Sequence, residues 1–135
     1  TRVHYEPFDG EPVALARLPW VRAEPQEAGL VGHLFYYGAR QSVPWAKQRL
    51  RGFRIYTGGR SADGKVNMKI FWSAPPSVSG SQLIARGTRL DGNDRFIQRL
   101  TVGPSILKVP RPGCWRLRLL AGGVVTHITV LATDP

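Results

Sequence analysis

The sequence predicts an all-β domain, an antiparallel two-sheet sandwich of about eight strands with almost no helix. Three observations carry this. Short apolar runs recur at regular spacing, with turn residues between them. No stretch keeps helical periodicity. Fifteen glycines and 11 prolines in 135 residues require many turns and short elements. The same spacing also suits a barrel.

The elements follow in order. Residues 1–29 are Pro-rich and without clean periodicity, and Pro7, Pro12, Pro19 and Pro25 prevent a long helix. They read as an extended arm packed on the domain, with Trp20 as its anchor; residues 30–135 form the sandwich. Leu30–Tyr37, LVGHLFYY, is apolar on both faces apart from His33 and reads as a buried strand. Gly38–Gly52 is a long basic connection whose AKQRLR piece suits one or two helical turns. Phe53–Gly59 alternates and then breaks at Gly-Gly. Lys65–Trp72, KVNMKIFW, puts Val66, Met68, Ile70 and Trp72 on one face and Lys65, Asn67 and Lys69 on the other. Gln82–Leu90, Arg95–Val102 and Ser105–Pro110 read as three further strands, the first two joined by the turn DGND.

The last two strands can be read to the residue. Gly122-Gly123 suits a two-residue primed turn. Ala121 then faces Val124, Leu119 faces Thr126, Leu117 faces Ile128 and Trp115 faces Val130, all on the core side. On the water side Arg118 faces His127 and Arg116 faces Thr129. With Met68, Ile70 and Trp72, the residues Trp115, Leu117, Leu119, Ile128 and Val130 form the predicted core.

The net charge is +10 and uneven. Residues 1–27 hold five acids and three arginines. Residues 28–135 hold sixteen cations and four acids, and from Ala28 to Ala62 there are six cations and no carboxylate. Such a field draws polyanions or acidic surfaces. Fifteen of the nineteen cations are Arg, so compositional drift reads the same excess without function. The segment Arg40 to Arg54 mixes cations with Trp45 and Phe53, the combination that sequence-tolerant nucleic-acid grooves use. The expected anion-binding residues are therefore Arg40, Trp45, Lys47, Arg49, Arg51 and Arg54; reversing Arg116 and Arg118, on a face that alternates charge with Thr129 and His127, is expected to matter less. A solvated loop, with Trp45 turned into the core, is the competing reading.

Three pieces carry a resemblance: LVGHLFYY; KIFWSAPP followed by GTRLDG; and PSILKVPRPGCWRLRL, with its Pro-x-Pro-Gly-Cys-Trp step at Pro110–Trp115. Across Leu30 to Leu131 the chain resembles a group of uncharacterised bacterial secreted or surface-anchored proteins. The resemblance implies an immunoglobulin-like sandwich outside the cytoplasm. It brings no established activity and no functional residue. The chain begins at Thr1 rather than Met, and a removed export segment is the matching expectation.

Catalytic and metal chemistry find little support in the pattern. His4, His33 and His127 lack ligand spacing for zinc. Asp91, Asn93 and Asp94 offer oxygens for Ca²⁺, but without the distal Glu of a loop site they read as turn formers. Cys114 is the only cysteine, so no internal disulfide forms. No G-x-S-x-G is present, and Cys114 reads as a small hydrophobe. No cofactor is implied. No apolar run is long enough to span a membrane as a helix. The expectation is a non-enzymatic extracytoplasmic binding or structural module, with a protein or cell-envelope component as partner. The alternative is a polyanion-binding domain for nucleic acid or an acidic polymer.

Overall fold

A computed structural model describes residues 1–37, 51–78 and 82–135. They fold as a mostly-β protein of two facing sheets, with 3-10 turns as the only helical elements among the described residues. The strands are β1 (Trp20–Arg22), β2 (Val31–Leu34), β3 (Arg54–Tyr56), β4 (Lys69–Ser73), β5 (Gln82–Arg89), β6 (Arg95–Thr101), β7 (Pro104–Ile106), β8 (Gly113–Ala121) and β9 (Val124–Thr133). One sheet has the order β1-β2-β4-β7 and the other β3-β9-β8-β5-β6. Every pair is antiparallel except β3 with β9.

The closing hairpin has the register its alternation requires, with Trp115 opposite Val130, Leu117 opposite Ile128 and Arg118 opposite His127. Gly122 and Gly123 both have positive φ, 53° and 78°, which is the type I′ geometry that glycine adopts without strain. All eight predicted core residues are buried, and Trp115 and Trp72 are among the largest fully buried side chains. Trp115 Nε1 donates to Arg111 O at 2.9 Å, and Phe96 meets the indole edge-on with centroids 5.2 Å apart.

Several strands are shorter than predicted. LVGHLFYY is a strand only to Leu34, and Phe35–Tyr37 turns as a 3-10 helix. Tyr37 causes the departure: its hydroxyl donates to Arg54 O at 3.0 Å and accepts from Arg54 N at 2.8 Å, tying the segment across to β3. The KVNMKIFW face is buried as read, yet pairing starts at Lys69; before it Met68 N donates to Gly59 O instead. After Ile106 the chain stops pairing with β4, because Lys108 N donates to the Gln98 side chain. The proline-rich N-terminal residues are woven into the first sheet. Trp20 faces His33, Val21 faces Gly32, and Val3, Val21 and Ala23 join the core.

Two of the motifs that carried the resemblance meet in space. Arg89 Nε donates to Asp91 at 3.0 Å and its Nη1 to Asp94 at 3.1 Å, while Arg111 stands 3.6 Å from Asp94. Gly113, at φ 134°, leaves room for this arginine; a Cβ there would lie 2.8 Å from Arg89 Nε. The acids of DGND are thus engaged by arginine, and Arg89 holds the Asp91 carboxyl below its ordinary range.

Candidate functional site: an arginine-bearing sheet face

The five strands β3, β9, β8, β5 and β6 contain no Asp or Glu. Their alternation decides where the arginines go. Burial of Leu83, Ala85, Leu117, Leu119, Ile128 and Val130 fixes the inner face, so the intervening residues point outward. The register then aligns them in rows. Arg95, Thr88, Arg116 and Thr129 form one; Ile97, Arg86, Arg118 and His127 form the next; Arg99, Ile84, Leu120 and Val125 form the third. Arg54 joins the same face beside Leu131. Six arginines from four of the five strands share one surface.

Arg86 stands directly opposite Arg118. Like charges on facing residues destabilise a sheet. Beside them lies a concavity of about 440 Å³, lined by Arg86, Arg95, Arg118 and the apolar Ile97, which is 66% exposed. His127 registers the same field. Its pKa is pushed down, first by burial and then by Arg116 and Arg118, against a smaller upward pull from Glu24. Glu24 is held at the far edge of β9, exchanging backbone hydrogen bonds with His127 at 2.8 and 2.9 Å.

Of the expected anion-binding residues, Arg40, Trp45, Lys47 and Arg49 lie outside the described residues, as does the AKQRLR piece. Arg51 is exposed and its carbonyl accepts from Val3 N. Arg54 is half-buried on the arginine face. Reading the loop alone missed Arg86, Arg95 and Arg99. The alternation that puts them outward is visible in each strand, but their union needs the strand order.

The catalytic candidates stand apart. His33 is fully buried, with Phe8 edge-on at 5.1 Å. His33 Nε2 and Ser73 Oγ share a hydrogen bond of 3.0 Å. A serine beside an imidazole is the start of a nucleophilic pair, but the buried Nδ1 has no hydrogen-bond partner, so no third group orients the ring. Burial pushes its pKa down. Cys114 is exposed, on the outer side of β8. Among the described residues no three His, Cys, Asp or Glu converge, and no helix is long and apolar enough to cross a membrane. Comparison with protein-family models, curated proteins and solved structures gives no match.

Proposed function

We propose that this domain is a non-enzymatic, extracytoplasmic binding module whose ligand is an anionic polymer gripped by the arginine face. The observation that carries the reading is the pairing of Arg86 with Arg118 inside a sheet without carboxylates. Repulsion kept at a site where any polar residue would fold better points to use. Arg is the side chain suited to this, since its planar fork binds phosphate, sulfate or carboxylate through two bonds. The exposed Ile97 adds an apolar contact for the body that carries the anion.

The fold reading that accompanies it is an immunoglobulin-like sandwich. Support comes from the strand order. A C-terminal hairpin, β8 and β9, lies beside β5 and β6 in one sheet, as strands F and G lie beside C and C′, while β4 and β7 pair in the other sheet as B and E do. The inter-sheet disulfide of antibody domains has no counterpart, since Cys114 is the only cysteine. The extracytoplasmic placement rests on the resemblance to secreted bacterial proteins.

The test is titration with heparin and with single-stranded oligonucleotide at two salt concentrations. Each arginine that neutralises a phosphate steepens the salt dependence by about 0.7 in log–log slope on single strands. The double reversal Arg86→Glu with Arg118→Glu is expected to abolish binding and leave folding intact. Reversing Arg49 and Arg51 is expected to weaken it less. Equal weakening by both pairs would mean that net charge alone binds, and retention by the first pair would refute the site.

A further inference from the structure

The arginine face ends at β6, an edge strand with no neighbour beyond it among the described residues. The hydrogen-bond phase shows which backbone groups it presents. Arg89 N donates to Asp94 O, so the antiparallel alternation turns the backbone groups of Phe96, Gln98 and Leu100 toward β5. Those of Arg95, Ile97 and Arg99 point away from the sheet. The opposite side of the sheet confirms the phase independently. Counting from the Gly-Gly turn, His127 and Leu131 must point away from β8, and they do bond Glu24 and Phe53 there. Among the described residues, no backbone hydrogen bond other than those to β5 reaches Arg95–Thr101.

The neighbouring edge strand is closed by contrast. β7 opens with Pro104, whose carbonyl accepts from Thr101 Oγ1, and the Gln98 side chain takes Ile106 O and Lys108 N. β6 has no proline and, among the described residues, no such cover. Between the two edges lies a cleft of about 480 Å³, lined by Lys69, Arg99 and Lys108 and by no carboxylate. Ser105 Oγ is buried nearby without a hydrogen-bond partner.

We infer that β6 is a docking edge for an extended acidic polypeptide that adds to the sheet as a further strand. This rests on the anion-binding reading of the face and names its partner. An added strand meets the outward backbone groups of Arg95, Ile97 and Arg99 with its own. Its residues opposite these three share the arginine face, so the matching pattern is acidic, any, apolar, any, acidic. The pattern is symmetric and suits either strand direction. The intervening residues face the cationic cleft. A second copy of the chain is the wrong occupant. Antiparallel pairing of β6 with itself about Ile97 sets Arg95 against Arg99, like charge against like.

The probe is an acetylated, amidated peptide, Thr-Glu-Thr-Val-Thr-Glu-Thr, titrated into the full chain with amide NMR as readout, beside its Lys-for-Glu counterpart. The expected result is binding of the acidic peptide alone, with shifts and slowed exchange centred on the amides of Arg95, Ile97 and Arg99. Ile97→Pro deletes the central outward donor and no charge; it is expected to weaken the peptide by about tenfold, the loss of one or two well-formed hydrogen bonds, and to weaken heparin far less, since heparin loses only the Ile97 apolar contact. Because proline can disturb β6 itself, the pair Arg95→Glu with Arg99→Glu serves as a second variant, and it is expected to switch preference to the Lys peptide. Peptide binding unaffected by Ile97→Pro in a folded protein would overturn edge docking, since the peptide would then lie on the face as any polyanion does. Heparin binding without peptide binding would overturn this inference and leave the anion-binding reading standing. Loss of both ligands' binding in the wild type would overturn both.

Discussion

Arg118→Glu should make the domain more stable and less able to bind. Arg118 sits between Arg86 on β5 and His127 on β9, and the charges of the pair face each other on an exposed surface. Replacing one by Glu removes a like-charge contact and creates an opposite-charge one. Each such cross-strand term is worth about 0.2–1 kcal/mol, so the two together give a gain of roughly 0.5–1.5 kcal/mol at low salt. For a domain of this size that raises the Tm by roughly 2–7 °C. The double reversal of Arg86 and Arg118 restores a like-charge pair, now acidic, and should return stability to near the wild-type value. Urea titrations of the three proteins, in low salt and in about 1 M NaCl, measure this; high salt should erase the difference, because the screening length there is only about 3 Å. In parallel, heparin affinity of Arg118→Glu should fall by about tenfold or more, as one contact is lost and a repulsive charge added. A destabilisation above about 1 kcal/mol, or a gain that survives high salt, would refute the reasoning, because Arg118 would then be held by packing or hydrogen bonds rather than opposed by charge.

Two further outcomes follow from the core. Trp115→Ala should cost about 3–5 kcal/mol in a denaturant titration, since it empties a fully buried site against Phe96 and removes the bond to Arg111 O. The second concerns acid. The pKa values of His33 and His127 are lowered in the fold from 6.5. The unfolded chain therefore takes up these protons first as pH falls, so stability is full above about pH 6.5 and declines below it until the folded form also protonates. Thermal melts from pH 7.5 to 5 should show this, and His33→Gln should flatten the profile; a profile that rises on acidification would contradict the burial of His33.

What the sequence disclosed and what it withheld follow one line. Where alternation is strict and the turn is two glycines, as from Trp115 to Val130, face, partner and register could all be read, because a one-residue slip would expose every apolar side chain. The buried face of Lys65–Trp72 was legible for the same reason. Strand ends were not, since they depend on contacts from elsewhere: the Tyr37 hydroxyl on Arg54, and the Gln98 amide on Lys108. The parallel pairing of β3 with β9 left no local trace, because nothing in Arg54–Tyr56 specifies a partner some eighty residues on. The arginine face lay hidden in the same way. Arg86, Arg95 and Arg118 each look like an ordinary solvent-side residue until the order β9-β8-β5-β6 sets them side by side.

That order also governs when the protein can exist. β9 is the strand on which distant parts of the chain depend: Glu24 lies along it through His127, β3 pairs with it, and β8 folds back onto it. On a ribosome, none of these contacts can form until β9 has left the exit tunnel. Until then the sheet that faces β4 lacks β9 and, with it, the pairing of β3. The nascent chain therefore closes its structure only once β9 is free. Such non-local closure makes for slow folding. It also makes the polypeptide a compliant passenger for any machinery that moves unfolded chains.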